Sequence, residues 1–303
     1  MEKIIEDIKT IKPNLKKSSI NTYITQLTKL NGGELKDLSF LKDTKKVMKG
    51  LNEKPLTTKR NYLTAIMVGT KSQDYEEYEF YRKEVQKLNE EYNEFIEQHK
   101  KTPIQNKNWT TLEELKKIQK DMRKNIMKLG LYEKEDLNGY ERKLFTDFLI
   151  CSLYTLIPPV RLDYATMKII KNIKDNDGKQ NFLWISNEKR KHFIFNDFKN
   201  VATRGSATFL IPTNLNKIIN KYLEFNKTEN FIIDGKGNPM TTNAFGKLIT
   251  RIFTHGDKKP SLNIIRHAWA SANVDLKKRK QQAELADKML HTPALQVAYA
   301  KVD

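Results

Sequence analysis

Ile157-Pro158-Pro159 is the stretch that most restricts what this chain can fold into. Two consecutive prolines remove two backbone donors, fix φ and push the preceding residue out of the α region. No helix can run through this point, and no central strand can include it. The sequence divides there. Upstream, apolar residues recur at helical spacing; downstream comes a strand-rich section, after which helical spacing resumes. Arg161 follows the break directly, so a cation is fixed at a rigid bend instead of trailing from an exposed helix face.

On the upstream side, Ile20, Tyr23, Ile24, Leu27 and Leu30 predict a helix over 16–32 that Gly32 ends and Ser18 or Ser19 can cap. Further helices are expected at 43–51, from 57 onward with Leu63, Ile66 and Met67 inward, and over 75–99. Residues 100–109 lack an apolar period and contain Pro103, which predicts a linker. A chain of 303 residues exceeds the usual size of one domain. The expected division is a helical domain over 1–99 and a second domain over 110–303. Thr110 and Thr111 cap the next helix, and helical segments continue to about residue 154. Past the prolines, a short helix over 162–167 leads to strands at 182–186, 192–196 and 208–211, separated by polar turns. Helices follow at 214–225, 242–253, 262–274 and 281–290. Thr292 then reads as an N-cap and Pro293 as a first helical residue, which sets His291 at a helix start and Tyr299 about two turns on. The expected fold class is mainly α with a small antiparallel β-sheet.

Charge narrows the partner. Residues 1–100 carry 19 Lys and Arg against 16 Asp and Glu, and the rest carry 36 against 21, so most of the net charge of +18 lies beyond residue 100. Such a balance suits a polyanion, nucleic acid above all, although acidic membranes attract the same charge. No apolar run follows Met1 and none reaches the roughly 18 residues of a membrane span, so neither a secretory leader nor a membrane-spanning segment is expected. Cys151, the only cysteine, sits in Phe148-Leu149-Ile150-Cys151-Ser152-Leu153-Tyr154 and reads as a buried small hydrophobe. With no disulfide framework, an intracellular compartment fits.

Arg266 stands in Leu262-Asn263-Ile264-Ile265-Arg266-His267-Ala268-Trp269, an otherwise apolar helix that would bury it. A buried guanidinium needs an anion, either a carboxylate or a bound phosphate. Two such arginines, a histidine at a helix start and a tyrosine beyond it suit phosphoryl transfer. The plainer alternatives are an Arg161–Asp163 structural pair and a packed terminal tyrosine. The five histidines and one cysteine have no metal-ligand spacing, and no cofactor is expected.

These residues, in this order, resemble the catalytic domain of tyrosine recombinases, the phage-type integrase family. Its signature is an arginine after a helix break, a lysine on a β-hairpin, His-x-x-Arg, a later His or Trp, and a tyrosine nucleophile. Arg161 and Arg266 match the arginines, and Leu290-His291 with Tyr299 match the closing box. Lys199, in Asn196-Asp197-Phe198-Lys199-Asn200, matches the lysine, with Lys189 and Lys191 as weaker choices. Asn263 replaces the His of His-x-x-Arg; it can donate to a phosphate oxygen but cannot shuttle a proton near neutral pH. His255 is a possible substitute from the preceding loop, while His267 falls on another helix face.

The resemblance implies a DNA strand transferase, independent of metal and ATP, that cuts and rejoins specific duplex sites through a 3′-phosphotyrosyl intermediate. It implies an integrase of a virus or mobile element, acting in the cytoplasm or nucleus of a host, monomeric in solution and tetrameric on paired DNA sites. The first hundred residues resemble the family's core-binding domain. Lys16, Lys17 and Ser18 at one helix start, Lys59 and Arg60 at another, and Arg204 near the hairpin are the candidate DNA contacts; ordinary caps on a solvated surface are the alternative. Two other functions remain open: a type IB topoisomerase, and a DNA-binding protein that has lost catalysis.

Overall fold

The computed structural model describes residues 1–290 and Thr292. It forms two compact units, Met1–Lys101 and Thr102–Asp303.

The first unit is helical: α1 (Glu2–Ile11), α2 (Lys17–Leu30), α3 (Thr44–Lys49), α4 (Leu56–Ser72) and α5 (Tyr78–Glu97). One apolar stripe per helix faces a shared core, with Ile8, Leu27, Leu63, Ile66 and Tyr81 fully inside. Tyr81 carries its hydroxyl into that core and donates it to Leu41 O at 2.8 Å. Neither serine caps α2, because the N-cap position falls on Lys16 and Ser18 lies in the first turn.

The second unit begins with α6 (Pro103–Asn108), inside the stretch expected to be a linker. Proline is harmless at its first position, and Thr102 Oγ1 accepts from the Gln105 N–H while the Gln105 side chain accepts from Thr102 N–H. Six residues give no readable period, which is why the helix is hidden in the sequence. α7 (Leu112–Lys128) follows, capped by Thr111 and Glu114 in the same reciprocal way. α8 (Gly139–Thr155) is the centre of the unit. From Asp147 to Thr155 every residue is buried, Cys151 included, and burial pushes that thiol's pKa upward.

After α8 come β1 (Lys168–Ile170), β2 (Phe182–Ile185), β3 (Lys191–Phe195), α9 (Val201–Arg204) and β4 (Ala207–Leu210). The sheet order is β1-β2-β3-β4. β2, β3 and β4 are antiparallel as the alternation suggests, but β1 joins β2 in parallel, so the sheet is mixed. Three residues are too few for a period-two signal. The helix expected over 162–167 is instead a pair of turns, with Ala165 N–H bonded to Leu162 O and Met167 N–H to Tyr164 O. Tyr164, Ala165 and Met167 are buried and Thr166 between them is exposed. The chain continues through α10 (Thr213–Phe225), α11 (Thr242–Phe253), α12 (Leu262–Asn273) and α13 (Leu276–Lys288). α13 starts earlier than the expected 281 because Asp275 accepts from Lys278 N–H as its N-cap; the basic run 277–280 lies exposed in its first turns. Among the described residues no helix is long and apolar enough to cross a membrane.

Glu114 ties α7 to the turn before α12. Its Oε1 lies 2.9 Å from Lys258 Nζ, and its Oε2 accepts from Thr111 N–H and the Thr110 hydroxyl. The lysine contact, with these caps, lowers the Glu114 pKa to about 2 from its ordinary 4.5. A depressed carboxylate stabilises the fold fully above its unfolded pKa, and the contribution is lost as pH falls through the folded one. The thermal midpoint should exceed that of Glu114→Gln near neutral pH, with the gap closing between pH 4.5 and about 2. A gap that ignored pH in melts of both proteins would refute the charge pairing.

Candidate active site

The double proline creates the site by leaving a carbonyl without its helical partner. In an unbroken helix Tyr154 O would accept from the N–H four residues on, but residue 158 is proline and has none. The indole of Trp269 on α12 supplies the donor, Nε1 to Tyr154 O at 2.9 Å. The same tyrosine reaches forward across the bend: its hydroxyl donates to Arg161 O at 2.7 Å. Tyr154 is fully buried, and burial drives its phenol pKa well above the ordinary value. It stays protonated and can keep donating. One residue therefore references both arginine-bearing segments to the end of α8.

The arginines meet in a cleft of about 610 Å³, walled by the bend at 157–161, by Phe193 and Phe195 of β3, by the segment after β3, and by β4. Arg161 and Arg266 both line it and both are half-buried. Arg266 Nε donates to Pro159 O at 3.3 Å, which is the one hydrogen bond its guanidinium makes among the described residues. Burial lowers the Arg266 pKa and the charge of Arg161 lowers it further, so the two cations repel at close quarters. Asp163 offers incomplete compensation. Its Oδ2 accepts from the Arg161 backbone N–H at 3.0 Å rather than from the guanidinium, and burial raises its pKa despite both arginines. The cleft thus holds an excess of positive charge that an entering anion would relieve.

Arg204, placed by the sequence among outer contacts, also lines this cleft from the end of α9. Lys199 is exposed in the turn between β3 and α9, and its neighbours Phe198 and Asn200 line the cleft. Lys191 is consumed elsewhere: its buried Nζ donates to Asn216 and Asn220 Oδ1 on α10, and burial lowers its pKa. Lys189 is exposed at positive φ in the β2–β3 turn and does not line the cleft. Asn263 is exposed one turn before Arg266 and is not among the lining residues, and His267 points to solvent. His255 does not line the cleft, and its Nδ1 is 2.8 Å from Phe253 O. His291 and Tyr299, with the helix expected from Thr292-Pro293, lie outside the described residues. Among the described residues no group of three His, Cys, Asp or Glu side chains is placed to hold a metal ion.

In the first unit, Arg60 of α4 lies over the Tyr92 ring of α5 at 4.3 Å, a cation–π contact that fixes its position. Lys59 beside it is half-buried, whereas Lys16, Lys17 and Ser18 are exposed at the start of α2. Sequence reasoning missed Tyr154 and Trp269 as positioning groups and Asp163 as a backbone acceptor. The signal for Tyr154 was present: a phenol in an apolar run, one turn before two prolines, must find a polar partner when buried.

No protein-family profile matches the chain, and no curated protein matches it. Among solved structures it is similar to the crystal structure of XerA recombinase, over 91% of this chain and 87% of that one, with a TM-score of 0.36 and 11% identity. That likeness is too distant to carry an argument about chemistry.

Tyr154→Phe keeps the ring and strips the donor from a carbonyl in the bend. An orphaned buried acceptor costs about 1–3 kcal/mol, and Trp269→Phe should cost a similar amount at the other carbonyl. Urea denaturation midpoints should fall for both variants; unchanged midpoints would mean that solvent already serves these carbonyls.

Proposed function

We propose that this chain is a site-specific DNA recombinase that cuts and rejoins duplex DNA through a 3′-phosphotyrosyl linkage. The observation that carries the reading is the convergence of two half-buried arginines, mutually repelling and short of carboxylate, in one cleft beside the Lys199 turn. A phosphodiester supplies the missing negative charge.

In this reading Arg161 and Arg266 hydrogen-bond the nonbridging oxygens and favour the negative charge that grows in the transition state. Tyr299 attacks phosphorus in line, forming the phosphotyrosyl bond and breaking the bond to the 5′ oxygen. Lys199 gives a proton to that leaving oxygen. His291 and Asn263 add donors, and Arg204 holds the adjacent backbone. Lys16, Lys17, Ser18, Lys59 and Arg60 contribute contacts from the helical unit. Rejoining reverses the steps with a new 5′-hydroxyl, and a tetramer on paired sites organises the exchange. Integration by a virus or mobile element is the setting implied by the sequence resemblance.

Nicked suicide duplexes of randomised sequence, which trap the covalent state, test this directly. The protein should yield a denaturant-resistant DNA adduct that Tyr299→Phe abolishes. Arg161→Ala and Arg266→Ala should each slow its formation by about 10²–10³. No adduct with any duplex, or one that persists in Tyr299→Phe, would overturn the mechanism. Relaxation of any supercoiled plasmid by the monomer would instead identify a type IB topoisomerase.

A further inference from the structure

Asn181 stands immediately before β2, buried, and its carboxamide is fully used. Nδ2 donates to Asp163 O at 3.2 Å and to Asp197 O at 2.8 Å. Oδ1 accepts from Asn196 N–H at 2.9 Å and from Asp197 N–H at 2.8 Å. Asp163 lies two residues after Arg161, and Asp197 two residues before Lys199. A single side chain therefore spans the arginine bend and the lysine turn. The backbone of Asn181 is itself fixed, since its carbonyl accepts from Lys168 N–H at 3.0 Å where β1 starts.

The two ends of this clip differ in how many of its bonds they take. The bend is secured independently by Tyr154, by Arg266 and by Asp163 Oδ2. The turn that carries Lys199 takes three of the four Asn181 bonds, and its Phe198 packs against the core. Besides Asn181 there is the Asn196 side chain, whose Nδ2 donates to Asn176 Oδ1 and Gln180 O. Further hydrogen bonds, among them Val201 N–H to Phe198 O, Thr203 N–H to Asn200 O and Arg204 N–H to Asn200 O, are internal to the turn and α9. Loss of the Asn181 amide would remove three hydrogen bonds on the lysine side and one on the arginine side.

We propose that Asn181 is a positioning residue for Lys199, holding the lysine turn in register with the Arg161 bend so that the ammonium reaches the leaving 5′ oxygen. The proposal rests on the assignment of Lys199 under Proposed function. Its chemistry is proton delivery to a leaving group, and a better leaving group removes the need for it. A 5′-bridging sulfur at the scissile phosphate departs as a thiolate, whose conjugate acid is far stronger than an alcohol, so protonation no longer limits cleavage.

The experiment compares single-turnover cleavage of nicked suicide duplexes with oxygen or sulfur at that bridging position. The proteins are the unsubstituted chain, Lys199→Ala, Asn181→Ala and Asn181→Asp, with DNA affinity and thermal midpoint measured for each. Asn181→Asp keeps the size and both acceptor bonds but sets a carboxylate oxygen against the Asp163 and Asp197 carbonyls, whereas Asn181→Ala removes the contacts without adding a charge, so the two variants open the clip in different ways and the thermal midpoint identifies the folded one. On the oxygen substrate Lys199→Ala and a folded Asn181 variant should be slowed by about 10²-fold or more, and on the sulfur substrate both should recover to within about tenfold of the unsubstituted protein. DNA affinity should be unchanged. An Asn181 variant slowed equally on both substrates, while Lys199→Ala recovers, would overturn the proposal and leave Lys199 as the acid. A Lys199→Ala protein that fails to recover on sulfur would overturn the assignment of Lys199, and the proposal with it.

Discussion

One unmet hydrogen bond organises the second unit. Pro158 deprives Tyr154 O of its helical donor, and a buried carbonyl cannot be left without one at a cost below about 1–3 kcal/mol. Trp269 answers from α12, 115 residues away in sequence. That bond brings α12 to the end of α8, and Arg266 comes with it one turn earlier on the same helix. The Tyr154 hydroxyl then fixes Arg161 across the bend. A defect in one helix thereby becomes the reference point for two cations.

The charge arrangement follows from this packing. Guanidinium groups repel, and neither the bend nor α12 would bring two of them into one cleft for the sake of local stability. The packing of Tyr154, Trp269 and Pro159 holds them there regardless. Asp163 tempers the repulsion without cancelling it, because its carboxylate faces a backbone N–H and is itself partly desolvated. Structural hydrogen bonds thus maintain an excess of positive charge in the cleft.

The sequence made the helical periods, the two arginines and the strand-rich interval legible, since each rests on local spacing or on a residue type with few buried uses. Phe193 and Phe195 alternate inward along β3, and Ile264 and Ile265 mark the buried side of α12. What stayed hidden depended on distance or brevity. β1 has three residues, and its parallel partner lies beyond a loop; α6 has six and carries a proline. The 162–167 segment has only six residues, too few for its spacing to separate a helix from a pair of turns. Lys191 and Lys199 cannot be told apart by composition: one ammonium is enclosed by Asn216 and Asn220, and the other stands in solvent at the cleft edge. Asn181 carried no signal, because an asparagine before a strand ordinarily belongs to a turn.

The Tyr154–Trp269 bond also has a meaning for the order in which the molecule is assembled. The Asn181 contacts close loops of 16 and 18 residues, whereas Trp269 and Arg266 close loops of 115 and 107. Loop-closure entropy grows with length, so the hairpin half of the cleft is the cheaper half to form. Until the longest closure is made, the chain displays one arginine and a lysine turn, a weaker concentration of positive charge. The paired cations exist only in a chain whose distant segment has arrived, which couples the paired charge to completed folding.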